Sequence, residues 1–298
     1  MYKKINKTIP TLNIGKTDIY GYPRIPRGDG KSDYYYESLR DIEQNLVCDK
    51  RDKPFVSSPH IHSCFEFMYC VNGYIDGCID DVSFRLRPGQ LAAVSSFVTH
   101  EYESYDADAL LLIIPRRLAV GYEKTFERHS FEKVVVDDDE QYTLLHQLRA
   151  IYSIHMRLGC CSGMDGIAYE QLIASVCSTF LGLAVYCCGL RENIAVNSSL
   201  IGALDYIHSH YNEEIRIPEL ARLMLCSQQT LSDQFRELFG MTIKSYINHL
   251  RANAVCTMLS TDASLTLSEA TERAGFGSIR SMLRAYRREY DCTPSENR

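Results

Sequence analysis

The last hundred residues carry one supersecondary pattern twice, and that duplication constrains the fold more than any other feature of the chain. The first copy runs from Ile217-Pro218-Glu219-Leu220-Ala221 through Ser227-Gln228-Gln229-Thr230-Leu231-Ser232 to Phe235-Arg236-Glu237-Leu238-Phe239-Gly240. The second runs from Leu267-Ser268-Glu269-Ala270 through Gly275-Phe276 to Tyr286-Arg287-Arg288-Glu289-Tyr290, then Thr293-Pro294-Ser295. Each reads as a short helix, a turn and a second helix. Two such units joined by one amphipathic helix are the layout expected of a protein that reads successive major-groove faces of DNA.

The apolar spacing assigns the faces. In the first unit Leu220, Ala221 and Leu223 are expected to pack against Leu231, Phe235 and Leu238, with the turn at Cys226-Ser227 and Ser227 capping the second helix. That leaves Gln228, Gln229, Ser232, Asp233 and Arg236 facing outward as candidate readers. Gln bonds adenine edges and an acidic group accepts from cytosine while repelling phosphate, so Asp233 is either a cytosine contact or an intrahelical partner of Arg236. In the second unit Ala270, Ala274, Met282 and Tyr286 point inward. Ile279, Arg280, Leu283 and Arg284 point outward, the two arginines one turn apart as guanine readers require. Ile279 and Leu283 suit either thymine methyls or packing, and Arg287 and Arg288 suit phosphates or a solvated face.

Charge tempers this reading. The chain carries a net charge of −6, and residues 198 to 298 hold 11 Lys plus Arg against 12 Asp plus Glu. Few phosphate contacts are therefore available, and modest DNA affinity is expected unless the protein dimerises. The twelve cysteines are scattered without a CxxC pair, which predicts reduced thiols, with redox sensing through Cys64, Cys70 and Cys78 as the alternative. No apolar run approaches a membrane span and no signal core follows Lys3-Lys4, so no membrane partner and a cytoplasmic location are expected.

Upstream the signals change. Residues 1–54 read as an arm, with Pro10, Pro23, Pro26 and a Gly28-Asp29-Gly30 turn around Tyr34-Tyr35-Tyr36. From Phe55 to Pro115 short apolar runs alternate with turns at Asn72-Gly73, Asp76-Gly77 and Pro88-Gly89, the pattern of a small barrel or jelly roll. Helical spacing follows, in Leu144, Leu145, Leu148, Ile151 and Tyr152, and again from Ile167 to Cys188. This pair suits core packing, a dimer interface, or both. The predicted fold class is α+β in two domains: 55–188 a β-barrel followed by a helical pair, for effector binding and dimerisation; 189–199 a linker; and 200–298 an all-α domain with two helix-turn-helix units.

The segment from about Leu200 to Arg298 resembles the DNA-binding domain of AraC/XylS-family transcription regulators. The match runs through Leu231, Phe235 and Gly240, the linker-helix residues Tyr246 and Leu250-Arg251, Gly275-Phe276, and Thr293-Pro294-Ser295. Asp233 stands where a basic residue is common in that family, Met282 where an aromatic is, and Asp291 where Gly is. His60-Ile61-His62, with Glu66, Gly73, Pro88-Gly89 and His100, resembles the two-motif pattern of cupin barrels. In metal-binding cupins such residues converge on one ion, and His60, His62, Glu66 and His100 can each ligate zinc, iron, manganese or nickel. Sensor domains of AraC-like regulators often keep part of this pattern without metal. There His60, His62, Glu66 and His100, with Tyr69, Tyr74 and Tyr102, would line an effector pocket.

Together these resemblances imply a non-catalytic, ligand-responsive DNA-binding regulator that senses a carbohydrate or similar metabolite. A metal-responsive regulator, with a divalent ion on His60, His62, Glu66 and His100, is the alternative, and a metal-dependent cupin enzyme the remoter one. The implied partners are double-stranded DNA, a small-molecule effector, a second copy of the chain and RNA polymerase.

Overall fold

The computed structural model describes residues 24–25, 33–37, 40–41, 44–139, 141–159, 164–192, 198–262 and 264–296. The prolines and the Gly28-Asp29-Gly30 turn of the expected arm, Cys160-Cys161, and positions 193–197 of the expected linker lie outside them.

The first half is built on two facing sheets. One holds β1 (Arg24–Ile25), β2 (Tyr34–Tyr36), β4 (Phe55–Ile61), β9 (His100–Ser104), β6 (Ile75–Ile79) and β7 (Val82–Leu86), in that spatial order. The other holds β12 (Val135–Asp137), β8 (Gln90–Val94), β5 (Phe65–Asn72), β10 (Asp108–Ile114) and β3 (Val47–Arg51). The expected closed barrel does not form, and the cupin-like reading of the fold is corrected accordingly. Both sheets are open, and no described strand of one pairs with a strand of the other. The connections β4–β5, β7–β8 and β9–β10 each carry the chain across the gap instead of continuing a ladder around it. Closure needs one unbroken hydrogen-bonded ladder with consistent tilt and shear. Alternation and turn signals specify strands and hairpins, and are blind to that global condition.

Period-two alternation explains why β5 is buried on both faces. Phe65, Phe67 and Tyr69 meet the helices behind the second sheet, while Glu66, Met68 and Cys70 face the gap between the sheets. Those helices are α2 (Thr143–Leu158) and α3 (Met164–Cys188), preceded by the single turn α1 (Glu123–Phe126). Leu144, Leu148 and Ile151 join Ile173, Cys177, Phe180, Leu181 and Ala184 in one core against the sheet. By length and composition alone α3 could cross a bilayer, with mean hydropathy 1.7 over its most apolar stretch. The sequence reading missed this because Glu170, Gln171, Ser175, Ser178 and Thr179 interrupt the apolar run. Its fully buried face nevertheless belongs to the core just described, and its last turn leads into β13 (Leu190–Glu192), paired with β11 (His129–Phe131).

The second half is all helical: α4 (Ser198–His210), α5 (Ile217–Leu223), α6 (Gln228–Phe239), α7 (Ile243–Thr261), α8 (Leu267–Arg273) and α9 (Ile279–Tyr290). Ser227 caps α6 as expected, accepting from Thr230 N, and Thr266 with Glu269 forms a reciprocal capping box on α8. Gly275 (φ +80°) makes the second turn. A Cβ there would sit 2.3 Å from the Asn212 carbonyl oxygen, so only glycine lets α8 turn into α9 against that strand of backbone. The two-domain α+β architecture with a C-terminal pair of helix-turn-helix units thus stands, without a barrel.

Candidate functional site

His60 and His100 face each other as register partners on β4 and β9, Glu66 projects from β5 of the opposite sheet, and His62 sits in the crossing between β4 and β5. The sequence-predicted quartet is therefore assembled where the two sheets approach, with ligating atoms all within 4.8 Å of one another. His62, Glu66 and His100 are buried and His60 nearly so.

Backbone carbonyls set the imidazole tautomers. Nδ1–H of His60 donates to the Ser58 carbonyl and Nδ1–H of His100 to the Val98 carbonyl, both at 2.9 Å. Each ring therefore carries its lone pair on Nε2, the arrangement in which outer hydrogen bonds orient metal-ligating histidines. His100 Nε2 lies 3.6 Å from Glu66 Oε2 without a hydrogen bond, and His62 Nδ1 is likewise buried without a partner. His62 Nε2 is 3.1 Å from Glu66 Oε2. Nε2–H of His62 donates to Glu66, while the Nε2 lone pairs of His60 and His100 converge near the same carboxylate, an arrangement that a cation relieves. Burial and the neighbouring His100 push the His60 pKa well below its ordinary value, keeping it neutral. Burial opposes ionisation of Glu66, yet the nearby His100 and the His62 hydrogen bond hold its carboxyl well below the usual range. Burial likewise opposes a charged His62, but Glu66 outweighs it and raises the pKa. Three imidazoles gathered around one carboxylate form a donor set that fits a divalent first-row ion.

The three tyrosines expected beside this quartet part company. Tyr102 lines the same cavity, and its hydroxyl is buried with no hydrogen-bond partner. Tyr69 lies on the other face of the second sheet and donates to Asp138 at 3.0 Å. Tyr74 is about half exposed, under the Arg85 guanidinium. Both are far from the expected role because alternation along β5 and the β5–β6 turn direct them elsewhere. Cys64 and Cys70 carry thiols raised by burial, Cys70 to about 11, which leaves little thiolate for the redox alternative. The ten described cysteines form no disulfide.

A second polar centre was invisible in the sequence. Asp41, fully buried, accepts from Ser63 N (3.0 Å), the Ser63 hydroxyl, the Tyr36 hydroxyl and the Tyr246 hydroxyl (3.3 Å). Tyr246 accepts in turn from His208 Nε2 at 2.7 Å, and Gln44 donates to His208 Nδ1 at 3.3 Å. This chain joins the crossing that bears His62 to α4 and α7, the helices that flank the first helix-turn-helix unit. Around it Tyr36 packs on Phe239 (ring centroids 4.4 Å), and Phe97, whose N–H donates to the His62 carbonyl at 2.8 Å, packs on the same Phe239 at 6.1 Å. No local pattern announces a carboxylate whose partners are up to 205 residues away.

On the DNA-facing side, Gln228, Gln229, Asp233 and Arg236 of α6 are exposed and Ser232 half-buried. Asp233 accepts from Gln229 at 2.8 Å, so its intrahelical partner is Gln229 and not Arg236. Ile279, Arg280, Arg284, Arg287 and Arg288 of α9 are exposed, whereas Leu283 packs partly against the core of its unit. Leu223, expected inside, is 58% exposed. Short α5 buries Leu220 and Ala221 and has turned Leu223 away before its end.

Comparison with known proteins matches residues 220–298 to a helix-turn-helix domain family. The chain is 22% identical over 257 residues to the uncharacterized HTH-type transcriptional regulator YobQ of Bacillus subtilis, covering 86% of this chain and 95% of that protein. It is 24% identical to the RCS-specific HTH-type transcriptional activator RclR of Escherichia coli, covering 72% and 77%, and 26% identical to the HTH-type transcriptional activator RhaS of Klebsiella pneumoniae, covering 80% and 86%. Among solved structures, ToxT from Vibrio cholerae aligns over 85% of this chain and 95% of its own at 10% identity, TM-score 0.43. These sequence relatives are HTH-type transcriptional regulators and activators, and their similarity to this chain extends well upstream of the matched helix-turn-helix domain.

Proposed function

We propose that the chain is a metal-responsive, DNA-binding transcription regulator in which a divalent first-row ion on His60, His62, Glu66 and His100 sets the arrangement of the helix-turn-helix domain. The observation that carries this reading is the convergence of those four side chains within 4.8 Å, with two imidazole nitrogens buried and unbonded. Such a donor set favours an ion over the carbohydrate suggested by family resemblance alone.

The response has a physical route. Ion binding draws His62 toward the other ligands, and His62 is tied to Phe97 through its carbonyl and to Asp41 through neighbouring Ser63. Phe97 and Asp41 touch Phe239 at the end of α6 and Tyr246 in α7. An ion that binds one arrangement of this junction better than another shifts the population by that difference in affinity, and by no more.

For DNA, Arg280 and Arg284 are assigned as base readers of the second unit, Arg287 and Arg288 as phosphate contacts, and Ile279 as an apolar contact to thymine. Gln228, Gln229, Ser232, Asp233 and Arg236 form the face of the first unit. Helix α7, 19 residues, is about 28 Å long against the 34 Å between successive major grooves, so a duplex engaged by both units bends. The sparse basic charge supports action as a homodimer, for which the exposed Leu172 and Tyr186, on one side of α3, offer apolar contacts. RNA polymerase in the cytoplasm is the remaining partner.

The test is equilibrium dialysis of the full chain with Zn²⁺, Co²⁺, Ni²⁺ and Mn²⁺, and DNA binding with and without chelator. Stoichiometric metal, lost in the His62→Ala/His100→Ala double variant, together with metal-dependent DNA affinity, is the expected result. No bound metal, or equal DNA affinity in both states, rejects the proposal.

A further inference from the structure

Beside the four ligands lies a cavity of about 150 Å³. His60 and Glu66 form one part of its wall and Tyr102, Glu37, Arg40 and Arg51 much of the remainder. A volume of this size holds a molecule about as large as benzene. We infer that it takes a short α-hydroxy carboxylate of about three or four carbons, and takes it only once the ion is in place. The inference rests on the proposed metal site and names the second component of its signal.

Three observations lead there. The Tyr102 hydroxyl is buried and has no hydrogen-bond partner among the described residues, an omission that is costly unless a ligand supplies one. A phenol O–H in that position is a donor facing an acceptor placed inside the cavity. Among the lining charges Glu37 and Glu66 stand beside Arg40 and Arg51; Arg40 is held by Glu37 at 3.1 Å and Arg51 by Asp49 at 3.6 Å. A divalent ion added to this set shifts the charge around the cavity by two positive units, so an anion is favoured far more after metal than before it.

The chemistry of the occupant follows. Two of the four residues that would hold the ion, His60 and Glu66, form the cavity wall, so an ion there would be within reach of an oxygen ligand entering from the cavity. An α-hydroxy acid presents a hydroxyl and a carboxylate oxygen at chelating distance, with its second carboxylate oxygen free to accept from Tyr102. Met68, Leu111 and Ile113, beside Glu66 on the second sheet, add an apolar wall that suits a methyl or methylene group. A neutral sugar would leave the added charge uncompensated.

The experiment uses the full chain. Co²⁺ is titrated first, followed by visible absorption, and L-lactate is then titrated calorimetrically into the cobalt-loaded and the chelator-stripped protein. Lactate is expected to bind the loaded protein, shift the cobalt bands and give no heat with the stripped protein. Propionate, which lacks the hydroxyl, binds at least about tenfold more weakly, and Tyr102→Phe weakens lactate by about tenfold, the loss of one hydrogen bond. Equal lactate binding with and without cobalt, unmoved cobalt bands, or a Tyr102→Phe variant that binds lactate as tightly as the parent overturns the inference while the metal reading stands. Failure of cobalt to bind overturns the inference, and failure of Zn²⁺, Ni²⁺ and Mn²⁺ as well brings down the metal reading with it.

Discussion

Tyr246→Phe isolates a single hydroxyl at the junction of the two halves. The ring is fully buried among Tyr36, Phe235 and Phe239, so phenylalanine keeps the packing and its volume. What disappears is the acceptor for His208 Nε2 at 2.7 Å and one of the donors to Asp41 at 3.3 Å. Asp41 retains Ser63 N, the Ser63 hydroxyl and the Tyr36 hydroxyl, so its share of the loss falls at the low end of the usual range. His208 keeps only the Gln44 contact at Nδ1, and its Nε2–H is left buried and unpaired. With about 1–3 kcal/mol for each orphaned buried group, the expected cost is about 2–3 kcal/mol, a large part of ordinary domain stability. Urea unfolding of the full chain measures it. Combining Tyr246→Phe with His208→Leu, which removes the stranded donor, should cost less than the two single changes added together. A Tyr246→Phe variant destabilised by less than about 0.5 kcal/mol, or strict additivity with His208→Leu, would refute the argument that this hydroxyl completes a satisfied buried network.

Further predictions concern separate parts of the molecule. Burial lowers the His208 pKa, so its neutral form contributes stability above the ordinary imidazole range near 6.5 that is lost as pH falls through the depressed value. Acidification from pH 7 to 5 should therefore weaken folding by up to about 1.4 kcal/mol per pH unit, and His208→Gln, which cannot titrate, should flatten that slope in pH-dependent unfolding. Gly275→Ala forces a side chain into left-handed backbone and against the Asn212 carbonyl, and should cost at least about 2 kcal/mol in thermal unfolding. Thr266→Ala removes the cap of α8 and should cost about 1 kcal/mol in the same assay. Arg284→Ala should lose about 1–3 kcal/mol on the target duplex and relax base preference, while Arg288→Ala weakens target and scrambled DNA alike in gel-shift titrations.

Much of the C-terminal half was legible because its determinants are local. Leu231 and Phe235 against Leu220, Ala270 and Ala274 against Met282 and Tyr286, and the caps at Ser227 and Thr266 all lie within one or two helices of each other. The exceptions, Leu223 outside and Leu283 partly inside, sit at helix ends or face boundaries, where a shift of a fraction of a turn reverses burial. For the candidate metal centre, the H-x-H-x3-E spacing with His100 named all four side chains. The same spacing implied a barrel that the open sheets do not form, because ligand convergence needs only two facing sheets whereas closure needs a continuous ladder.

The amino-acid sequence by itself determined the elements, their periodic faces, the duplicated helix-turn-helix pattern and the residue types able to ligate an ion, since each follows from neighbours a few positions apart. Tertiary structure alone decided that the sheets remain open, that Tyr69 and Tyr74 lie away from the cavity while Tyr102 is stranded inside it, and that Asp41 bonds Tyr246 across 205 positions. Those outcomes depend on which distant faces bury together, and side-chain periodicity carries no record of the partner on the other side of the contact.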